Sequence, residues 1–390
     1  MSASKVKQSV SIWYIDRSKT WPPRGWVQYP ISPSLYELLR TCWLQATFQA
    51  SASYPRRSSP YARLGTAFHR TLEQLRSFSW TTEGLSSRVV RAQAVEIFRA
   101  AVEEQKQEAM RNPRERGLPW LDDLMQRMEV AIALVADQLA VKSSVGTYTG
   151  SDLGQWSKTA VEETLVSVDG LLQGRPDLLV EDRVSGTIIV DYKTGSLDDP
   201  DRLTGYERQC LLYAWLWHER YGTWPVEYRL VNPIKGHEYR APVKPEVATA
   251  LAEDARRLAR RLAKPPWVGL QASPGPHCSR CPFRPWCEPF WQHVASGTSE
   301  VQASTGHSRV SMQGTVLEMD RLKDAGARKG LVRVQSGAGL VTLRASLADF
   351  PHLTALRSAE HVRVLDAVAS ALDRTWLQLD AWSEVFTVSQ

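Results

Sequence analysis

Apolar side chains recur along this chain at two different spacings, and the spacings divide it into elements. Leu64, Phe68, Leu72 and Leu75 in RLGTAFHRTLEQL fall on one stripe and predict a helix. Helical spacing returns in YERQCLLYAWLWHER at 206–220. It also returns at 244–263, and in two or three long helices across 85–142 that include EIFRAAVEEQKQEAM and LDDLMQRMEVAIALVADQLA. A helix over 31–48 opens at Ser32 with Pro33 in its first turn. Strands are predicted at 9–15, in AVEETLVSVDG and at 226–233. Beyond Trp291 the text becomes small and polar, ASGTSEVQASTGHS, as a linker does. Short alternating runs follow (VSMQGTVLEM, GLVRVQS, GLVTLRAS, HVRVLDAVAS, WSEVFTVS), which predict about five strands and a small barrel, OB-like in type.

The run GRPDLLVEDRVSGTIIVDYKTG, residues 174–195, combines strand pattern with charge in an unusual way. Its two apolar stretches flank a polar turn and read as a β-hairpin. A hairpin centred near Val184 sets Asp177 opposite Asp191. Directly opposed side chains have Cβ atoms about 5 Å apart, and like charges there repel. Such a pair needs a cation between its members, or one carboxyl must stay protonated. Alternation also puts Lys193 on the face of Asp191. Two carboxylates and an ammonium on one face are the minimum kit for metal-assisted attack on a phosphodiester. The competing reading is an exposed hairpin with solvated acids and an ion-paired lysine.

This pattern resembles motifs of the PD-(D/E)XK nuclease superfamily, in the RecB-like branch that includes the RecB and AddB nuclease domains and the CRISPR adaptation nucleases. IVDYKTG is close to the wording of that branch. Two further places match. Gln209 and Tyr213 stand four apart on one helix face, as in the branch's Q-x-x-x-Y helix, whose glutamine is pressed toward the lysine and the DNA phosphate. Gly65 and His69 match its G-x-x-x-H helix, whose histidine ligates the catalytic metal. From residues alone, His69 beside an apolar stripe would be an ordinary structural histidine. The resemblance implies an α/β restriction-endonuclease-like core with a helical insert. It also implies catalytic roles for Asp177, Asp191, Lys193, Gln209 and Tyr213. His69, Asp177, Asp191 and the backbone carbonyl of Tyr192 would hold Mg²⁺ or Mn²⁺, and the imidazole shifts preference toward Mn²⁺. Glu162 and Glu163 open the preceding strand, and an acid in this region joins the metal site in some relatives.

Three of the five cysteines are clustered in CSRCPFRPWC as Cys278, Cys281 and Cys287. Their C-x2-C-x5-C spacing lets thiolates converge on a metal or cluster. Cys42, far upstream, is the candidate fourth ligand. The RecB-like branch has members with one cysteine before the core and three after it around a 4Fe-4S cluster that staples the nuclease domain. Four thiolates suit zinc equally well. Cys210, on the 206–220 helix, reads as an inert core thiol.

Composition sets outer bounds. Net charge is +6, mildly basic, which fits a polyanion partner without identifying one. The start lacks the apolar core of a signal peptide and no window would span a membrane. With free-looking cysteines, this places the chain in the cytoplasm. Arg256, Arg257, Arg260 and Arg261 form either a phosphate track or a solvated face. Of fifteen tryptophans, Trp215 and Trp217 read as core, whereas Trp21, Trp26 and Trp80 lie in loop-like context and could stack on bases. The expected organisation is a nuclease domain over 1–292, with an insert at about 80–150, a catalytic core at about 160–265 and the cysteine loop at 278–287. A linker at 293–308 and a β-domain over 309–390 complete it. The resulting expectation is a metal-dependent deoxyribonuclease, an exonuclease on single-stranded or end-containing DNA, in repair, recombination or antiviral defence. The alternatives are a catalytically silent DNA-binding scaffold subunit and an RNase on the same fold. A helicase partner is expected by analogy, since no GxxxxGK[ST] loop is present.

Overall fold

The two apolar stretches around residue 184 pair as their pattern requires. In the computed structural model the strand Leu178–Asp182 runs antiparallel to Gly186–Tyr192, with Leu178 opposite Val190 and Asp182 opposite Gly186. Extending that register by one residue sets Asp177 opposite Asp191. The structure describes residues 13–20, 30–51, 53–77, 87–144, 156–161, 164–182, 186–262, 272, 274–295, 300–302, 308–324, 327–369 and 375–389. Trp21, Trp26, Trp80, Glu162, Glu163 and the hairpin turn at 183–185 lie outside the described residues.

In chain order the elements begin with β1 (Tyr14–Ile15), α1 (Arg17–Thr20), α2 (Pro33–Thr41), α3 (Trp43–Ala50), α4 (Pro60–Ser77), α5 (Ser87–Arg111) and α6 (Asp122–Ser144). Next come β2 (Trp156–Val161), β3 (Leu165–Val166), β4 (Gln173–Gly174), the hairpin strands β5 and β6 already described, and α7 (Pro200–Tyr221). They are followed by β7 (Glu227–Asn232), β8 (His237–Pro242), α8 (Pro245–Leu262) and α9 (Glu288–Ala295). The last group is β9 (Glu300–Gln302), β10 (Ser308–Asp324), β11 (Ala327–Ser336), β12 (Gly339–Ser346), β13 (His361–Ala369), β14 (Trp376–Gln378) and β15 (Glu384–Val388).

The central sheet has the order β2-β5-β6-β7-β8, with β6 and β7 parallel. Helices cover both faces, which is why β5 and β6 carry the continuous apolar runs LLV and IIV. Leu179, Ile189 and Leu230 pack with α2, α7 and α8 on one face. Leu178, Val180, Ile188 and Val190 pack with α4, α5 and α6 on the other. The helix read over 31–48 is in fact two, because Cys42 takes an extended conformation (φ −160°, ψ 106°). The physical reason is a change of core: Tyr36 and Leu39 face the central sheet, whereas Leu44 and Phe48 join a separate cluster. The edge strand β8 is only weakly apolar: Tyr239 and Ala241 turn to the core between exposed residues, and the strand pairs with β7.

The second sheet has the order β1-β15-β13-β14-β12-β11-β10-β9, and β13 also pairs with β10. Residues 14–15, grouped by sequence with the first region, therefore add a strand to this sheet, parallel to β15. A fourth core cluster joins the two halves: Phe48, Tyr54, Phe283, Trp286 and Phe290 pack against Leu365, Phe386 and Val388. Buried ion pairs cross the same boundary. Arg284 grips Asp366 with both guanidinium nitrogens (2.9 and 2.6 Å), Arg363 reaches Glu288 at 2.7 Å, and Arg114 grips Glu384 at 2.8 and 2.9 Å. Among the described residues no helix is long and apolar enough to cross a membrane.

Candidate functional site

Four elements bring the charged residues together. The hairpin supplies Asp177 just before β5, and Asp191, Tyr192 and Lys193 at the end of β6. Helix α4 delivers His69 from the edge of its apolar stripe, with Leu64, Phe68, Leu72 and Leu75 buried to 0–1% exposure. His69 Nδ1 lies 3.3 Å from Asp177 Oδ1. The other Asp177 oxygen accepts the backbone N–H of Tyr192 at 2.7 Å. Lys193 Nζ stands 2.5 Å from Asp191 Oδ2 and donates to Gln209 Oε1 at 2.8 Å. Gln209 in turn donates to the Tyr213 hydroxyl at 2.7 Å, one turn along α7. Asp199 caps that helix by accepting the N–H groups of Asp201 and Arg202, which fixes where Gln209 begins its reach.

The electrostatics separate the two opposed carboxyls. Burial by itself would raise the Asp177 carboxyl, but the hydrogen bond and charge of His69, with Lys193, hold it below its ordinary value. Asp191, 2% exposed, is pushed the other way by burial and by Asp177, against the pull of Lys193. Burial works against the His69 imidazolium, yet Asp177 and Asp191 together raise its pKa. Lys193 is likewise raised: desolvation is overridden by the charge of Asp191. Asp191 Oδ2 is buried and, although it is ion-paired with Lys193, receives no hydrogen bond of acceptable angle. Two carboxylates and an imidazole, one carboxylate oxygen still lacking a directed donor, are a hard oxygen-and-nitrogen set suited to Mg²⁺ or Mn²⁺. Among the described residues no three His, Cys, Asp or Glu side chains already stand ready-made around a single ion.

A cleft of about 510 Å³ opens onto His69 and Asp177 and is walled by Gly65, Thr66, Arg70, Glu73, Arg175 and Thr194. The glycine matters there, because a Cβ at position 65 would stand 3.0 Å from Thr194 Oγ1. Sequence reading missed three participants. The Tyr206 ring lies 4.7 Å from the Lys193 ammonium as a cation–π contact, and Glu73 and Arg175 pair across the cleft. Tyr206 has a usable signal, since it falls one turn before Gln209 on the same helix. Arg175 and Glu73 have none.

Cys42, Cys278, Cys281 and Cys287 line a common cavity of about 20 Å³ with Leu44, Phe48, Arg284 and Phe290. All four are free thiols. Burial pushes Cys281 up to about 12 and raises Cys42 and Cys287 as well, with a smaller contribution in the same direction from neighbouring thiols. Any metal held here must therefore displace protons from thiols that hold them tightly. Cys210 is elsewhere, fully buried on α7, with its pKa driven well up by burial.

The α8 arginines are occupied: Arg256 and Arg260 meet Asp169, Arg257 meets Asp254, and Arg261 lies over the Trp43 ring. Trp215 and Trp217 are buried in the central core.

This geometry accords with the sequence family. A family model described as the PD-(D/E)XK nuclease superfamily matches residues 30–288, well over half of the chain. The chain belongs to that superfamily, whose members are in general metal-dependent nucleases that typically use Mg²⁺ or Mn²⁺. Among solved structures, one described as "Crystal structure of SSO0001" is matched at 15% identity over 58% of this chain and 95% of that one, with a TM-score of 0.27. At that score the likeness adds nothing to the assignment. No curated protein matches the chain at a significant level.

Proposed function

We propose that the chain is a deoxyribonuclease of the RecB-like branch, an exonuclease acting on single-stranded or end-containing DNA. The carrying observation is the convergence of Asp177, Asp191, His69, Lys193 and Gln209, from three separated segments, in one charged cluster that meets the cleft at His69 and Asp177. In this reading His69, Asp177, Asp191 and the Tyr192 carbonyl hold the metal ion. The chemistry such an ion supplies is polarisation of the phosphodiester and a lowered pKa for the attacking water. The chain's own residues do the rest. Lys193, held between Asp191, Gln209 and Tyr206, places an ammonium beside the reacting phosphate and stabilises charge developing there. Gln209 sets the direction of that ammonium, and Tyr213 sets the amide of Gln209. The apolar wall behind Asp191 keeps its carboxylate dry, so a bound cation is worth more to it than to an exposed acid.

The test is cleavage of end-labelled single- and double-stranded DNA and RNA with Mg²⁺ and with Mn²⁺. Lys193→Ala and Asp191→Ala should each abolish cleavage while leaving the folded state and DNA binding in place. Undiminished cleavage by both variants would sink the assignment. Preference for RNA would select the RNase alternative. Binding without cleavage by the wild type would select the scaffold alternative.

Two structural readings accompany it. The first assigns a 4Fe-4S cluster to Cys42, Cys278, Cys281 and Cys287, supported by their sharing one cavity and by the RecB-like pattern of one cysteine before the core and three after. Protein purified without oxygen should be brown, with absorbance near about 400 nm from thiolate-bound iron; stoichiometric zinc in colourless protein overturns it. The second divides the chain after α9 and reads residues 309–390 as an OB-like barrel. Its support is the circuit β10-β11-β12-β14-β13, which returns to β10 and has β12 and β14 parallel.

A further inference from the structure

The cleft beside His69 and Asp177 contains two arginines that the catalytic reading does not use. Arg70 follows His69 on α4, and Arg175 lies two residues before Asp177; both line the cleft. Arg175 Nη2 meets Glu73 Oε1 at 2.5 Å, across from one wall to the other. Arg70 Nη1 meets Glu104 at 3.2 Å, and its Nη2 lies 3.7 Å from Glu108. These side chains are 41–51% exposed, except the more open Glu104 at 64%.

One role for the Glu73–Arg175 pair would be a clasp that holds α4 to the sheet. Two observations argue against it. Helix α4 is already fixed by Leu64, Phe68, Leu72 and Leu75, none more than 1% exposed. A half-exposed ion pair adds little to such an anchor. The cleft, meanwhile, shows a polyanion two acids, Asp177 and Glu73, and must offer cations if a strand is to enter. Guanidinium forks match phosphate oxygens two at a time.

We propose that Arg175 and Arg70 form the subsite for the phosphate next to the scissile one, and that Glu73 is the carboxylate this phosphate displaces. The proposal deepens the nuclease reading and rests on it for the word scissile. In the free protein Glu73 holds Arg175 Nη2 over the cleft; on binding, the nucleic-acid phosphate takes the place of the carboxylate on that nitrogen and engages the guanidinium as a fork.

The discriminating feature is opposite signs. A clasp loses strength when either partner is removed, whereas a displaced carboxylate competes with the ligand. Binding is read by fluorescence anisotropy of a labelled single-stranded DNA oligonucleotide in EDTA, so that no strand is cut, over a range of salt. Arg175→Ala should raise Kd about five- to tenfold and reduce the slope of log Kd against log salt by about 0.7, the value for one phosphate contact on a single strand. Arg70→Ala should act in the same direction. Glu73→Gln should lower Kd by about two- to fivefold, since one competing charge is gone. Arg175→Lys should keep the salt slope and still bind more weakly, because the charge stays and the fork is lost. Weaker binding by Glu73→Gln, or an unchanged Kd and slope in Arg175→Ala, overturns the proposal. Wild-type protein that cleaves DNA while these variants bind normally removes the subsite alone. Protein that never cleaves but shows the predicted signs removes the nuclease reading and leaves a phosphate site.

Discussion

Adding a single methyl group at Gly174 should impair the site by pressing on Tyr213, without replacing any residue in it. A Cβ built there stands 2.7 Å from Tyr213 Cδ1, 2.8 Å from Tyr213 Cε1 and 2.8 Å from Leu216 Cδ1. Ordinary carbon–carbon contacts begin at about 3.5 Å, so the overlap is about 0.7–0.8 Å at three atoms. The φ of Gly174 is not in the left-handed region, so the backbone accepts alanine and the effect is purely steric. Leu216 can rotate in part, but the Tyr213 ring is 5% exposed and closely packed. Overpacking of this kind costs about 1–3 kcal/mol of stability. The displacement does not stop at the ring. Tyr213 accepts from Gln209 at 2.7 Å, and Gln209 accepts from Lys193 at 2.8 Å, so a shifted hydroxyl redirects the ammonium. A misplacement approaching 1 Å at a reacting group costs up to about a hundredfold in rate. Gly174→Ala should therefore lose about 10- to 100-fold in kcat on a labelled oligonucleotide, with little change in KM. Thermal unfolding monitored by tryptophan fluorescence gives the stability loss in parallel. Wild-type kcat in a variant destabilised by the expected amount would refute the chain of contacts from Gly174 to Lys193.

Other expectations concern the joint between the two sheets. Arg114→Met leaves Glu384, 2% exposed, with Arg57 at 3.1 Å as its remaining ion-pair partner among the described residues, and strips the Pro55 and Pro282 carbonyls of a donor. It should cost about 3 kcal/mol in urea unfolding, and adding Glu384→Leu should return most of that, because an unpaired buried charge costs more than a missing pair. Burial works to raise the Glu384 carboxyl, but Arg114 holds it below its ordinary value, so this contribution is present above about pH 4.5 and fades as pH falls further. His352 behaves differently. Burial lowers its pKa to about 4 against an ordinary 6.5, as its ring stacks on Trp13 at 4.7 Å. Its stabilisation is complete above pH 6.5 and is lost as pH falls toward 4, by up to about 3 kcal/mol. His352→Phe should flatten that dependence in urea titrations at acid pH, and an unaltered profile would remove His352 as its source. Cys281→Ser should bleach the expected brown colour and expose the segment after α9 to limited proteolysis, since Arg284 on the same loop holds Asp366 of β13.

Much of the site was legible because its chemistry is local. Asp177, Asp191 and Lys193 are tied together by hairpin register, and a register is a counting problem once the turn is located. Gln209 and Tyr213 are tied by helical period. Periodicity also gave the central strands and the long helices, since both faces of the sheet are covered and the apolar runs are unbroken. It failed where packing rather than pattern decides. Cys42 interrupts one predicted helix because its two ends serve different cores.

The sequence by itself therefore determined the hairpin, the facing carboxylates, the lysine beside them and the superfamily motifs around them. Tertiary structure alone decided which partners those groups meet. Nothing in the chain's order announces that Glu73 faces Arg175 or that Arg114 reaches Glu384 from 270 residues away. The reason is physical: local spacing fixes the direction of a side chain, but desolvation and pairing depend on what the rest of the fold brings to that direction.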